Sequence, residues 1–452
     1  MANKKLLIVS AVFPPVTSSG IHRIIRISRY LNEMGVDISV LTVDETTLPK
    51  SYKYDHELLA KVPDSVNIYR VPALQLFKKM LALKNRSKPS PPSQTNGSST
   101  ATANSGGNRT KEKSTLQKLK DTLTYNMHTP DNYAMWIYPA IKAGEKIIRE
   151  NGIQNVFSSS PPGTSHVVCS HLKNRTGVNW IADFRDPWAQ KRWFNPEMTP
   201  FKRRKIVEFE KRTVSQADTL IMNTPELLAD FRKHYGAKID QKSLAITNGF
   251  DPADFEGLAA KNGRSDKQIV ICHTGTFYRE RSPMSFLAGL RDAIRSGNVP
   301  RDRFKVKLIG GLGEFAAEVE RFLQENDLQN SVEVIAPIPH RACLQEIMYA
   351  DVMLIVQPVT PVQIPAKIFE YIATQKPILA VSAAGATADI VLDNKLGWWA
   401  QFDRNEEIAD KLTEIHRFFE SNEAKSWSID EQVLTRFNGK VLVEQLYDYL
   451  VS

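Results

Sequence analysis

The chain has 452 residues, of which 42% are hydrophobic and 24% are charged, a composition typical of soluble globular proteins. This length exceeds that of one ordinary core, so we expect two domains. The formal net charge of +9 favours anionic partners such as nucleotides, phosphorylated lipids or an acidic membrane surface. The three cysteines are far apart, show no metal-ligand spacing and indicate a reducing compartment. No apolar stretch has the length of a membrane span, and we expect a cytoplasmic protein.

The first part of the chain alternates predicted strands and helices. A buried strand at 6–9 leads through a loop rich in Pro, Ser and Gly into a helix at 21–34, and a second strand follows at 37–43. Such units build parallel sheets, which bind ligands at the carboxyl ends of their strands. Gly20 lies in this first loop, where a glycine lets the backbone approach a phosphate. The loop has no G-x-G-x-x-G pattern, which argues against a dinucleotide cofactor.

Residues 84–115 form a tract of Ser, Thr, Asn, Gly and Pro with almost no apolar side chains, and we predict that this insertion is disordered. Between residues 84 and 120 there are eight Lys and Arg residues against one Glu. Just before the tract, residues 74–83 combine apolar and basic side chains. A basic amphipathic stretch beside a basic tail predicts contact with an anionic membrane, although a solvated loop beside an ordinary helix accounts for the same residues.

Predicted elements then continue to a hinge and a second series. Strands at 156–158, 180–182, 219–222 and 243–246 alternate with helices at 134–149, 164–174, 201–216 and one capped by Thr224. Residues 247–252 predict a tight turn and a hinge. The second series has strands at 268–272, 305–309, 332–335 and 352–356 and helices at 283–296, 314–326 and 341–349. An amphipathic helix at 431–451 is expected to pack back onto the first half. Two such halves place a cleft between their carboxyl edges.

The stretch 364–377 combines several features of an anion-binding site. It follows the buried strand at 352–356, and Pro365 suits the first turn of a helix. Helix N-termini carry free N–H groups and attract anions. Lys367 lies in the first turn, where a cation is electrostatically unfavourable unless an anion binds there, and Glu370 lies on the same side. A sugar nucleotide, with its diphosphate and ribose, fits this arrangement; a surface Lys–Glu pair on an ordinary helix is the alternative.

Short motifs spread over the chain resemble the retaining glycosyltransferases of family 4, which have the GT-B fold. They are Phe-Pro-Pro at 13–15, Ser-Ser-Pro-Pro at 159–162, Asp-Phe-Arg-Asp-Pro-Trp at 183–188, Thr-Asn-Gly-Phe-Asp at 247–251, Thr-Gly-Thr-Phe-Tyr at 274–278, Ala-Asp at 350–351 and Ile-Pro-Ala-Lys-Ile-Phe-Glu-Tyr at 364–371. The motif at 183–188 looks like that of enzymes of surface-polysaccharide assembly. The resemblance implies an α/β protein with two doubly wound Rossmann-like domains facing a cleft, and a C-terminal helix that packs back on the N-terminal domain.

The resemblance also implies a role for each domain. Residues 1–248 are expected to form an acceptor-binding domain that contains the insertion at 84–115. Residues 249–428 are expected to bind the nucleotide-sugar, and residues 429–452 to form the crossing helix.

The donor-binding residues follow from the matched motifs. Glu370 corresponds to the second glutamate of the family's paired motif, which holds the ribose, whereas Val362 stands where the first is found. Arg281, with Arg279 as the second choice, and Lys367 are expected to meet the diphosphate after the turn at Gly275. Ile338 lies in the loop whose backbone pairs with the base.

On the acceptor side, Arg185 and Asp186 align with the family's histidine–aspartate pair and are the predicted catalytic residues. Arg185 orients the donor sugar or a phosphate but cannot act as a base. Asp183 and His22 are candidates for acceptor contacts, with a structural or surface role as the alternative for each.

These observations predict a metal-independent glycosyltransferase without cofactor. It would move a sugar from a UDP- or GDP-linked donor to a glycan or lipid-linked acceptor with retention, in cell-surface polysaccharide synthesis. We also expect contact with an anionic membrane at the inner face of the plasma membrane. We expect no nucleic-acid partner. One alternative is an epimerase or phosphorylase of the same fold, although the sequence offers no pyridoxal phosphate site. Another is a catalytically degenerate module that serves as a scaffold in a polysaccharide complex.

Overall fold

The computed structural model describes residues 4–18, 20–49, 51–75, 115–189, 198–259, 268–358, 361–421 and 423–451. The predicted insertion at 84–115 lies outside these ranges except for its last residue, as does most of the basic amphipathic stretch at 74–83. Within the described ranges, none of the helices combines the length and hydropathy that crossing a bilayer requires.

The first sheet has seven strands in the order β3-β2-β1-β4-β5-β6-β7, and every neighbouring pair is parallel. The strands are β1 (Lys5–Val9), β2 (Asp37–Val43), β3 (Asn67–Val71), β4 (Asn155–Ser160), β5 (Asn179–Phe184), β6 (Thr219–Met222) and β7 (Ser243–Ala245). The helices are α1 (Ile21–Glu33), α2 (Thr115–Met127), α3 (Ile137–Asn151), α4 (Thr164–Thr176), α5 (Pro200–Gln216) and α6 (Pro225–Tyr235). This order is that of a doubly wound sheet.

The second sheet has six parallel strands in the order β10-β9-β8-β11-β12-β13. The strands are β8 (Ile269–Thr274), β9 (Phe304–Ile309), β10 (Val332–Ile335), β11 (Val352–Gln357), β12 (Ile378–Ser382) and β13 (Gly397–Gln401). The helices are α7 (Met284–Arg295), α8 (Ala316–Glu325), α9 (His340–Tyr349), α10 (Lys367–Ala373), α11 (Ala386–Asp393), α12 (Asn405–Glu420), α13 (Glu431–Arg436) and α14 (Gly439–Val451). Two doubly wound domains are therefore confirmed, while the limits 1–248, 249–428 and 429–452 stay a prediction.

Apolar strands occupy the centre of each sheet because helices cover both faces. The last four residues of β1 and all six residues of β11 are buried. The start of α6 was predicted from its capping residue, Thr224, and agrees with the structure. The side chain of Thr224 accepts a hydrogen bond from the backbone N–H of Leu227 at 3.0 Å and starts α6 there.

The chain returns to the first domain at its C-terminal end. Leu442, Val443, Leu446 and Leu450 of α14 are buried in the core of the first sheet, which confirms that this helix packs back. The helix predicted at 431–451 is two helices, however, because the chain turns at 437–438. Here Phe250 N–H donates to the Phe437 carbonyl at 3.1 Å, and Gly439 N–H donates to the Phe250 carbonyl at 2.8 Å. Residues 250 and 438 thus pair side by side at the junction of the domains.

Candidate functional site

A cleft of about 550 Å³ lies between the carboxyl edges of the two sheets. Both domains contribute side chains to it. In each domain, the central loops follow the two strands between which the winding direction of the sheet reverses. This is where doubly wound sheets bind ligands. Eight of the predicted site residues line the cleft: Gly20, His22, Arg185, Asp186, Arg279, Arg281, Lys367 and Glu370.

Lys367 begins α10, and its side chain crosses the end of β8. Its Nζ lies 3.4 Å from Oγ1 of Thr274, the last residue of that strand. Gly275 makes this crossing possible: its φ is +147°, and a Cβ there would lie 3.3 Å from both Lys367 Cε and His273 Nε2. Gly275 itself does not line the cleft, so its observed contribution is to make room for the lysine.

Arg281 adds a second cation to the same side of the cleft. Its guanidinium lies 5.2 Å from the ring centroid of Tyr278, which is 44% exposed. The Arg281 N–H donates to the Tyr278 carbonyl at 3.0 Å and closes a tight turn after β8. Lys367 and Arg281 therefore place two positive charges beside the switch point of the second sheet, which is suited to a diphosphate.

Glu370 is held by a histidine that the sequence analysis did not identify. His340, the first residue of α9, lies with its Nε2 3.0 Å from Glu370 Oε1, and its ring centroid is 4.9 Å from that of His22 in the first domain. Burial by itself raises the pKa of Glu370, but His340 and Lys367 outweigh it and hold the pKa below its ordinary value. Glu370 is therefore a carboxylate at neutral pH, with His340 fixing its orientation.

His22 lines the cleft. Burial, followed by the neighbouring His340, lowers the pKa of His22 to about 4. Its imidazole is neutral at pH 7.

Arg185 occupies the space that the missing side chain of Gly20 leaves open. A Cβ on Gly20 would overlap the Arg185 guanidinium, so the glycine accommodates the arginine. The sequence analysis assigned this glycine to the close approach of a phosphate. Arg185 Nε donates to the Ser160 carbonyl at 3.3 Å, and its Nη2 donates to the Pro161 carbonyl. Burial lowers the pKa of Arg185, but the group stays charged at neutral pH.

Asp186 pairs across the cleft with Gln363, whose Nε2 donates to Asp186 Oδ1. Burial raises the pKa of Asp186, and the charge of Arg185 opposes this shift. Gln363 lies in the loop between β11 and α10, so a first-domain carboxylate is tied to the loop that carries Lys367. The sequence analysis did not single out Gln363, because nothing in its local pattern distinguishes it from a solvated loop residue.

Asp183 lies outside the cleft. It is fully buried and forms a two-point pair with Arg23, with Arg23 Nη2 2.7 Å from Oδ1 and Arg23 Nε 3.1 Å from Oδ2. Ser159 Oγ donates to the same carboxylate at 2.6 Å. Arg23 also donates to the carbonyls of Ile246 and of Thr247, the first residue of the predicted hinge. Asp183 thus braces the hinge from inside the first domain, which corresponds to the structural alternative, and it has no access to an acceptor.

Ile338 lies half-buried against the core of the second domain and does not line the cleft. Its carbonyl accepts a weak hydrogen bond from Cys343 Sγ at 3.7 Å. Base pairing by its backbone stays a prediction.

Val362 explains why a glutamate is absent eight residues before Glu370. This side chain is 8% exposed and belongs to the hydrophobic core of the first domain, although its loop emerges from the second sheet. Its carbonyl accepts a hydrogen bond from Thr224 Oγ1 at 2.9 Å. A charged side chain at this position would lose its hydration without gaining a partner, so the position serves contact between the domains.

Comparison with known proteins places this geometry in a known fold. Residues 268–417 match the model of the family described as "Glycosyl transferases group 1". No curated protein matches the chain by sequence. Among solved structures, the chain is similar to a glycosyltransferase from Rickettsia africae, with a TM-score of 0.63, 13% identity, and coverage of 100% of this chain and 98% of that one.

Two further structures agree over the whole length. The Anabaena protein HepE, in complex with UDP and glucose, gives a TM-score of 0.64 at 12% identity over 99% of this chain and 100% of that one. WaaG, described as a glycosyltransferase involved in lipopolysaccharide biosynthesis, gives 0.57 at 13% identity over 99% and 100%. The fold is GT-B. The cleft described above is the cleft between the two domains of this fold. The part of the chain that matches the family model, residues 268–417, contains Arg281, Lys367 and Glu370.

Proposed function

We propose that the chain is a retaining glycosyltransferase that uses a nucleotide-sugar, with UDP as the nucleotide favoured by the complex of the similar HepE. The observation that carries the proposal is the convergence of Arg281, Lys367 and Glu370 on one interdomain cleft. Two cations are suited to the diphosphate, and the oriented carboxylate of Glu370 is suited to the ribose hydroxyls. In this proposal the second domain, residues 249–428, binds the donor.

The proposed chemistry depends on charge. When the bond between sugar and phosphate breaks, negative charge develops on the diphosphate, and preformed positive charge stabilises it most effectively. Lys367 and Arg281 supply that charge from the second domain, while Arg185 faces them from the first. The resemblance to family 4 implies that the leaving phosphate accepts the proton of the attacking hydroxyl on the same face of the sugar. Such a mechanism requires no metal ion and no carboxylate nucleophile.

The first domain would present the acceptor to the donor sugar. Arg185 and Asp186 line the cleft opposite the two cations, and the link from Asp186 to Gln363 joins the acceptor side to the donor loop. In this proposal Arg185 orients the sugar or its phosphate, and Asp186 and His22 contact the acceptor.

We also propose a glycan or lipid-linked acceptor and a role in cell-surface polysaccharide synthesis. The motif at 183–188 and the similarity to WaaG support this assignment. We further propose peripheral contact with an anionic membrane at the inner face of the plasma membrane, which the net charge of +9 and the basic sequence between residues 84 and 120 support. On the described surface, α5 adds basic residues at 203–205 together with Phe201 and Val207, which are 45% and 43% exposed.

Sedimentation with lipid vesicles tests the membrane contact. We expect the chain to bind vesicles that contain anionic lipid at low salt and to be released at 1 M salt, where the screening length is about 3 Å. Neutral vesicles are the control. Equal binding to both kinds of vesicle, or none to either, would contradict the electrostatic contact.

Donor binding and turnover test the enzymatic proposal. Calorimetry with UDP, GDP and a panel of their sugars should identify a nucleotide that binds in the cleft, and slow hydrolysis of the matching donor should follow when no acceptor is present. If no nucleotide or nucleotide-sugar binds, the proposed function is wrong. Binding without hydrolysis or transfer to any glycan or lipid-linked acceptor would instead favour the scaffold.

A further inference from the structure

Three potential metal ligands, contributed by both domains, lie together at the cleft. One ligand atom from each of His22, Asp254 and His340 lies within 4.8 Å of the other two. His22 belongs to α1 of the first domain and His340 to α9 of the second. Asp254 lies in a short helical turn, Pro252–Phe255, just after the hinge. Successive members of the group are more than 80 positions apart in the sequence, so no short spacing motif indicates the site.

We propose that His22, Asp254 and His340 form a site for a divalent transition metal of the Zn²⁺ class that links the two domains. Two imidazoles and one carboxylate are a donor set that such ions favour, and three protein ligands leave further positions for water or a substrate oxygen. The proposed catalysis uses Arg281, Lys367 and Glu370 and no metal, so the metal site is a separate proposal, although His22 and Glu370 belong to both sites.

The surroundings of the two histidines suit metal binding. Glu370 Oε1 lies 3.0 Å from Nε2 of His340, which leaves the other ring nitrogen for an ion. A carboxylate behind a ligating histidine fixes the ring and increases its basicity, as in many zinc sites. Neither ring nitrogen of His22 forms a hydrogen bond to any residue that the structure describes.

Asp254 also has a competing partner. Lys61 Nζ lies 2.5 Å from Asp254 Oδ1, so Oδ2 is the oxygen that an ion would bind. The positive charge of Lys61 opposes a dication, and we therefore expect micromolar rather than nanomolar affinity. With bonds of about 2.1 Å, tetrahedral ligand atoms lie about 3.4 Å apart. The three ligand atoms lie within 4.8 Å of one another, so side-chain adjustment of about 1.4 Å or less brings any two of them to that separation.

Metal binding to the full-length protein, without an affinity tag and after treatment with EDTA, tests the site. We expect one Zn²⁺ per chain in a competition assay with a chromogenic chelator, and a rise in the melting temperature that EDTA reverses. Co²⁺ should bind at the same stoichiometry with visible d–d absorption and without the intense thiolate bands that ligation by Cys343 would produce.

Variants identify the ligands. H22A, D254N and H340A should each weaken Zn²⁺ binding at least tenfold, and E370Q should weaken it by about tenfold to a hundredfold through its effect on His340. H234A is the matched control, because His234 is exposed on α6, and it should bind Zn²⁺ like the unaltered protein. Circular dichroism confirms that each variant is folded.

The proposal is wrong if no stoichiometric Zn²⁺ or Co²⁺ binding occurs at micromolar concentration. It is also wrong if folded H22A and H340A both keep the affinity of the unaltered protein. Neither result would affect the proposed glycosyl transfer, because nucleotide binding is measured separately and in the presence of EDTA.

Discussion

Arg281 and Glu370 contribute to the cleft in different ways. Arg281 reaches the cleft from a turn after β8 and leans against an exposed tyrosine, whereas Glu370 is buried and fixed by His340. An arginine in such a turn is available to an incoming phosphate, while the glutamate offers an acceptor whose position is already set. The two side chains therefore predict separable effects on nucleotide affinity.

Substitution of either residue should weaken UDP binding. Hydrogen bonds to charged groups contribute about 1.5–3 kcal/mol, so R281A and E370Q should each raise the Kd about tenfold to a hundredfold. Isothermal calorimetry measures the change. R417A and E318Q alter exposed side chains on α12 and α8 and are the matched controls. Unchanged affinity in both cleft variants would remove these residues from the donor site.

The histidine that orients Glu370 shows what sequence patterns cannot supply. Lys367 and Glu370 were predicted together because three positions along a helix place side chains on one face. His340 is 30 residues away and meets Glu370 only because β10 and β11 bring α9 beside α10. Likewise, Asp183 and Asp186 share one motif, yet only Asp186 reaches the cleft, since the fold turns Asp183 towards Arg23. A motif indicates which part of the chain lies near the site. The three-dimensional contacts then distinguish its buried structural residues from those that reach the cleft.

At the scale of elements, the loop between β11 and α10 serves both domains. It carries Lys367 into the cleft and at the same time inserts Val362 into the first domain's core. Val362 therefore makes a packing contact at the position where the family that the motifs resemble has its first glutamate.

Restoring a glutamate at this position should destabilise the protein. V362E would bury a charge without a partner, and we expect a loss on the order of 3 kcal/mol in the free energy of unfolding. Urea denaturation measures it, and V207E, on a 43% exposed residue of α5, is the control. If V362E were as stable as the control and bound the donor more tightly, the packing explanation would be wrong.

Helix α14 is a second element that one domain contributes to the other. Leu446 is 2% exposed in the first domain's core, so L446A should lower the free energy of unfolding by about 2–5 kcal/mol. L392A, which truncates a 49% exposed leucine on α11, should cost far less. Urea denaturation of the two variants gives the comparison, and similar stabilities would contradict the packing of α14.

Most strands and helices follow from local pattern, whereas the exceptions have tertiary causes. Residues 352–356 were predicted from an apolar run, and β11 extends one residue further, to Gln357. By contrast, β3 at Asn67–Val71 was not predicted, since it is an edge strand with only partly buried side chains. The break before α14 was also missed. Asn438-Gly439 is a local turn signal within the predicted helix, and pairing with Phe250 fixes the turn in the structure.

At the scale of the whole molecule, buried neutral histidines predict sensitivity to acid. Burial lowers the pKa of His166 to about 3 and that of His273 to about 4. The unfolded chain binds protons at these positions below its pKa of about 6.5, and the folded chain does not. Stability should therefore be complete above pH 6.5 and fall as the pH decreases towards 4.

Urea denaturation at pH 7 and pH 5 tests this dependence. Each histidine should account for a loss of about 2 kcal/mol over that interval. H166Q and H273Q should each reduce the slope, whatever their effect on stability at pH 7, while the exposed His234 provides the control H234Q. An equal slope in all variants would show that these two side chains do not control the acid response.

The paired crossing of the chain at residues 250 and 438 has a mechanical consequence. Two segments of the chain run side by side between the domains and are joined by hydrogen bonds. They therefore form a two-stranded hinge rather than a single flexible linker. We expect such a joint to favour bending about one axis over twisting and sliding. Opening and closing of the cleft about that axis would return Lys367 and Arg281 to the same alignment with Arg185.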